Sequence, residues 1–342
     1  MRQNHEWLGI LITMLSPRAI RLLLRHFDAL DEVIAHRLTR KRPWQEEALT
    51  GLLCDLLDAE TQADEKVAYT LRQLHDDLAK SDEPVGIRLK IDSHQYPKHL
   101  ERWVTQADFG FIISFQDQFD NSHSTSSAWL MQAKRVFPNR TGAYGPESKF
   151  ESADAAQDAR MKLLRDWAQE DFIRYFLYCP RPKDLPQPVR EVLNQARTNA
   201  LSGDIFDYTL GLELRDDMLS ASPTIAAGLF VASLDNAPKT LRDTHAGLFN
   251  STTPFSWFIL QHMASGRHSI QHRRQRHESM SEPRRGPRAA DIERLVRGDH
   301  RVLQGMNLPE SLNVETPPRV LPAHTIEISV VCGLERPRRE DA

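Results

Sequence analysis

Apolar residues recur three and four apart through the first eighty positions. Ile20, Leu23, Leu24, Phe27, Leu30, Ile34 and Leu38 mark one helical stripe, and Leu49, Leu52, Leu53, Leu56 and Leu57 a second. Pro43 suits the first turn of that second helix, and Glu46 and Glu47 suit the positive end of its dipole. Val67, Leu71, Leu74 and Leu78 predict a third helix over 62–80. The period then falls to two. In "GIRLKID", Ile87, Leu89 and Ile91 alternate with Arg88, Lys90 and Asp92, the pattern of a half-buried strand with a solvent face. A second strand is predicted over 108–115 and a third over 128–137. The polar link between them, "FQDQFDNSHSTSS", is too long for a tight turn. "SADAAQDARMKLLRDWA" reads as a helix with Ser152 as N-cap, and "DFIRYFLYCP" as a strand stopped by Pro180. Further on, "TIAAGLFVASL" and "HTIEISVVCG" read as strands and "PFSWFILQHM" as the start of a helix.

The chain has 342 residues, enough for one large or two modest domains, and a net charge of −3. Contact with a nucleic acid would therefore need a local basic surface. Cys54, Cys179 and Cys332 stand far apart, without the spacing of a zinc site or a disulfide framework, which suits a reducing cytoplasm. The apolar run from Trp7 to Leu15 follows Glu6, has no small-residue cleavage site and meets Pro17. It reads as a helix rather than a signal peptide. No run reaches the length of a membrane span, so no membrane partner is expected.

Three polar residues interrupt the predicted strands. Gln132 and Lys134 are two apart and share a strand face, and Asp108 opens the strand before. If those strands pair antiparallel, the three converge at one end of the sheet. A carboxylate, an amide oxygen and the backbone carbonyl of Ala133 would suit Mg²⁺, a hard cation that prefers oxygen. Lys134 would orient a water and offset charge growing on phosphorus. Glu47 on the upstream helix is the candidate for a further oxygen ligand, with Glu46 beside it as the other choice.

The segment from Pro43 to Pro180, with its "QAK" triplet, resembles the PD-(D/E)xK nuclease superfamily. The similarity is to the branch whose triplet reads QxK, found in type IV restriction enzymes and anti-phage defence effectors. The resemblance implies an α/β fold with a restriction-endonuclease-like core: a helix, a three-stranded antiparallel hairpin sheet, a helix and a strand. On that division, 1–42 is an N-terminal helical segment, 43–182 the nuclease core and 183–342 a mixed α/β extension. It implies that Asp108 binds metal, that Gln132 and Lys134 fill the triplet, and that Glu47 matches the helix glutamate. The implied protein is a cytoplasmic Mg²⁺- or Mn²⁺-dependent endonuclease, a hydrolase of DNA phosphodiesters, with RNA as the other substrate class. Its expected partners are DNA, another copy of itself or a defence-system protein. A neutral Gln132 in place of an acid predicts weaker metal binding.

The rival from a different class is a catalytically inactive nucleic-acid-binding or assembly subunit on the same fold. A separate, plainer reading of the triplet makes Gln132 and Lys134 edge-strand polar residues, Lys134 blunting the edge. The Arg-, His- and Pro-rich stretch at 267–288 suits either phosphate contacts or a solvated loop. His272 and His277 lack the spacing of a helical zinc site.

Overall fold

The structure is a computed structural model and describes residues 17–80, 86–95, 108–118, 124–150, 155–168, 170–201, 228–263, 289–297, 299 and 324–333. The apolar run before Pro17, Ser152 and the basic stretch at 267–288 lie outside the described residues.

Helix α1 spans Pro17–Leu38 and buries Leu23, Phe27, Leu30, Ile34 and Leu38, the stripe read from the sequence. Helix α2, Glu46–Leu57, carries both glutamates in its first turn and is tied inward by Thr50, whose hydroxyl is 2.9 Å from that of Tyr178. The single helix expected over 62–80 is instead a 3-10 turn at Thr61–Asp64 and helix α3 at Leu71–Ala79. Side chains cause the break. Buried Gln62 donates to Leu56 O at 2.6 Å and accepts from Leu71 N–H at 2.7 Å. Thr70 and Gln73 form a capping box that starts α3 afresh.

Strand β1 is Gly86–Gln95, β2 Phe109–Asp117, β3 Thr125–Arg135 and β4 Ile173–Tyr178, with helix α4, Ala155–Ala168, before β4. The C-terminal half adds α5, Gln187–Leu201; β5, Leu229–Ser233; α6, Leu241–Ala246; β6, Thr252–Pro254; α7, Phe255–Met263; α8, Ala289–Val296; and β7, His324–Gly333. The fold is mixed α/β. Its described strands are hydrogen-bonded in the order β1-β7-β2-β3-β4-β5-β6.

The expected three-stranded antiparallel sheet is corrected here. The strands β2 and β3 do pair antiparallel, Phe109 opposite Met131. But β1 is not beside β2. Strand β7 runs between them, antiparallel to β1 and parallel to β2. The reason lies in β7 itself, which buries Ile326, Ile328 and Val330 and finds ladder partners on both sides along its length. A strand flanked on both sides has no free edge. The sheet is therefore larger than the expected core and draws on the far end of the chain.

By contact, the described residues of 1–83, 133–152 and 175–260 form one unit, and those of 84–132, 153–174 and 261–342 a second. The first unit is packed around Phe27, Phe176, Tyr178 and Phe255, whose rings meet edge to face. The second is packed around Phe111, Trp129 and the β7 aliphatics, with His262 edge-on to Trp129 at 4.4 Å. In that unit α8 reaches β7 through Arg297, which pairs with Glu327, and through Thr325, which donates to Val296 O at 2.9 Å.

Candidate functional site

The β2–β3 ladder sets the first two residues of the site. Asp108 N–H donates to Met131 O at 2.9 Å, extending the hairpin register by one residue so that Asp108 stands opposite Gln132. Across that pair, Gln132 Nε2 donates to Asp108 Oδ2 at 2.6 Å. Gln132 is only 4% exposed, and Asp108 is half-buried. A buried amide needs a partner, and a carboxylate is a strong one. With the amide turned over, its oxygen would face the carboxylate, an arrangement that a cation between the two would stabilise.

Lys134 follows two residues on in β3 and is half-buried on the Gln132 side of the strand, while Ala133 and Arg135 are buried on the other. Glu47 is exposed in the first turn of α2, and its neighbour Glu46 is half-buried. Asp108 and Gln132 belong to the second unit; Lys134 and Glu47 belong to the first. The structure thus joins Asp108 to Gln132.

Among the described residues, no three or more His, Cys, Asp or Glu side chains converge as a metal centre would need. The oxygens of Asp108, Gln132 and the Ala133 backbone fit Mg²⁺ or Mn²⁺ in kind, being hard donors, but they bring a single carboxylate. The described buried histidines serve packing. His245 lies edge-on to Phe230 at 5.4 Å, and His26 Nδ1 is 3.0 Å from Tyr69 O.

Sequence reasoning missed a second polar cluster, in the first unit. Asp31 is 1% exposed. Its Oδ2 accepts from the N–H groups of Gly228 and Leu229 at 3.1 and 2.7 Å, and its Oδ1 lies 3.4 Å from Arg181 Nε. Arg181 also donates to Glu32 at 3.0 Å, and Lys183 joins the same carboxylate. The signal was present, because Asp31 falls on the apolar stripe between Phe27 and Ala35. Burial pushes the Asp28 carboxyl up to about 8, helped by the Asp31 charge and opposed by the Ser256 hydroxyl and Arg181. It pushes Asp31 up as well, against Arg181 and the two N–H groups. Since Asp31 is consumed by backbone N–H groups and Arg181, this cluster anchors β5 to α1 and is not an open site.

No protein-family model, no curated protein and no solved structure matches this chain.

Proposed function

We propose that the protein is a metal-dependent nuclease that hydrolyses phosphodiester bonds, with DNA as its substrate. The observation that carries the reading is the Asp108–Gln132 pair at the end of an antiparallel hairpin, with Lys134 two residues further along the same strand. The succession of α2, β1, β2, β3, α4 and β4, with the extra helix α3 between α2 and β1, supports a restriction-endonuclease-like core within the larger sheet.

Asp108, the Gln132 amide oxygen and the Ala133 carbonyl would hold the ion, and the resemblance adds Glu47. A bound Mg²⁺ or Mn²⁺ supplies Lewis-acid stabilisation of the phosphoryl oxygens and lowers the pKa of water. Gln132 would turn its amide so that the oxygen, not the nitrogen, faces Asp108. Burial fixes the side chain between these two settings. Lys134 carries a charge that balances what develops on phosphorus, and its ammonium donates to the attacking water. The setting implied by the resemblance is cytoplasmic defence against foreign DNA, alone, as an oligomer or with a partner protein.

A second reading is supported by the exposure of Glu47 and by the single carboxylate at the pair. In it, the chain is a nucleic-acid-binding or assembly subunit that has no catalysis. Incubation of supercoiled plasmid and structured RNA with the protein in Mg²⁺, Mn²⁺ or EDTA separates the two. Metal-dependent nicking of plasmid is expected. Intact substrates in every metal condition leave the subunit reading.

A further inference from the structure

The loop that leaves β3 carries a cleft of about 510 Å³ lined by Phe137, Pro138, Arg140, Glu147, Lys149 and Phe150 among others. All of it lies in the first unit. The cleft is built, not incidental. Phe137 N–H donates to Lys149 O at 2.8 Å, and Val136 bridges Phe150, closing the base. Leu241 and Arg242 N–H groups donate to Ser148 O and Pro146 O, each at 2.9 Å, which fastens the far wall to the start of α6. The near wall is a turn organised by Asn139, whose Oδ1 accepts from Thr141 and Ala143 N–H groups at 3.0 Å each. Gly142 supplies the positive φ of 83° that this turn requires.

Charge and aromatic surface then define what the cleft takes. Arg140 and Lys149 are exposed, as is Lys239, whose carbonyl accepts from Phe150 N–H at 3.4 Å. None of the three pairs with a described acid. The nearby acids are engaged: Glu147 faces Arg242 at 3.8 Å, and Asp243 is held in the Thr240 capping box. Behind the lining, Arg135 is 6% exposed and stacks on the Phe137 ring at 3.8 Å. Its Nε and Nη1 make no hydrogen bond among the described residues. A buried guanidinium without a described acid beside it adds to the positive potential.

We infer that this cleft seats one nucleotide of a single-stranded nucleic acid, the phosphate on Arg140 and Lys149 and the base against the Phe137 and Phe150 side. The volume falls in the range of small-molecule sites, roughly 300–1,000 Å³. Cations interleaved with aromatic rings are the chemistry of single-strand binding, because a duplex keeps its base faces stacked and away from such rings. The inference deepens the nuclease reading by naming the strand form that the chain grips. Lys134 lies three residues before Phe137, so the strand that carries the proposed reactive lysine runs straight into the seat.

The test is binding without cleavage: fluorescence anisotropy of labelled oligo(dT), oligo(rU) and a hairpin duplex with the full chain in EDTA. Wild type is compared with the double variant Arg140→Ala/Lys149→Ala, both positions exposed. We expect both single strands, or one of them, to bind more tightly than the duplex, a preference between them naming DNA or RNA. The double variant should bind at least tenfold more weakly. Its slope of log affinity against log salt should flatten by about 1.4, two contacts at ~0.7 each. Unchanged binding by the double variant, tighter binding of the duplex, or no binding by wild type overturns the inference. Plasmid nicking by wild type, with oligonucleotide binding unchanged in the variant, would sink the seat alone. A lost single-strand affinity in the variant, with no nicking by wild type, would keep the seat and sink the nuclease.

Discussion

The Gln132 amide and the Asp108 carboxylate stand face to face at the end of the β2–β3 hairpin, joined at 2.6 Å through the amide nitrogen. That orientation satisfies a buried amide when no cation is present. A cation ligated by both residues at the same place would favour the opposite one. The pair is therefore both a structural contact and an indicator of what the site holds.

Replacing Gln132 with Glu sets two carboxylates against each other. Without metal, one of them takes up a proton or the hairpin end weakens, at a cost of about 1–3 kcal/mol. With Mg²⁺ the added charge tightens the ion. Thermal melts in EDTA should show a less stable variant, and a Mg²⁺ titration should show half-saturation at roughly tenfold lower concentration.

Lys134→Ala removes a half-buried charge that has no described partner. Stability in urea should stay within about 0.5 kcal/mol of wild type. Nicking of plasmid should fall by roughly two to three orders of magnitude if the ammonium stabilises the transition state. A silent Lys134→Ala in an active enzyme would remove it from the mechanism.

The anchor at Asp31 is a matter of stability. Asp31→Ala leaves two N–H groups without their acceptor and Arg181 with Glu32 alone, and should cost about 3–5 kcal/mol in a urea melt. Beside it, a Cβ on Gly228 would lie 2.6 Å from Ala35 Cβ and 2.7 Å from Asp31 Oδ1. Gly228→Ala should therefore cost about 1–3 kcal/mol through overpacking, with no effect on metal affinity at Asp108.

Acid should weaken the fold through its buried histidines. Burial lowers His26 to about 4 and His245 to about 3, from an ordinary 6.5. Below 6.5 the unfolded chain takes up protons that these folded rings refuse, so stability is present above 6.5 and is lost as pH falls towards 4 and 3. His245→Leu should flatten that slope, recovering up to roughly 3 kcal/mol at the acid end. Asp28 works in the other direction. Its folded value of about 8 stands above 3.8, so the folded chain keeps a proton that the unfolded chain loses, and stability falls as pH rises from 3.8 to 8. Asp28→Asn should remove this decline, read as melting temperature against pH.

Ending the chain after residue 323 removes β7 and leaves β1 and β2 without the strand between them. Exposed apolar ladders associate, so the truncated chain should be aggregated or unfolded on gel filtration. A monomeric, folded product would mean that β7 is dispensable to the sheet.

Much of this was legible from residue spacing. The stripes of α1 and α2, the alternation of β1 and the polar ends of β2 and β3 each report a local periodicity, and the structure places helices and strands there. Where the reading ended, the cause was long range. Nothing in "HTIEISVVCG" says which strands it will join, because pairing partners distant in sequence leave no local trace. The continuous helix drawn over 62–80 failed because a single side chain, Gln62, bonds the backbone on both sides of a turn. At the site, alternation put Gln132 and Lys134 on one strand face, and the hairpin brought Asp108 opposite Gln132. Spacing could not say that Glu47 would be exposed, since that depends on what α2 packs against.

The most direct measurement is a crystal soaked in Mn²⁺ and read by anomalous scattering. We expect a peak bound to Asp108 and to Gln132 with its amide turned over, at about the 2.1 Å typical of such small hard ions. No peak there, with Gln132 Nε2 still donating to Asp108 at saturating Mn²⁺, would contradict a metal-dependent reaction at this pair.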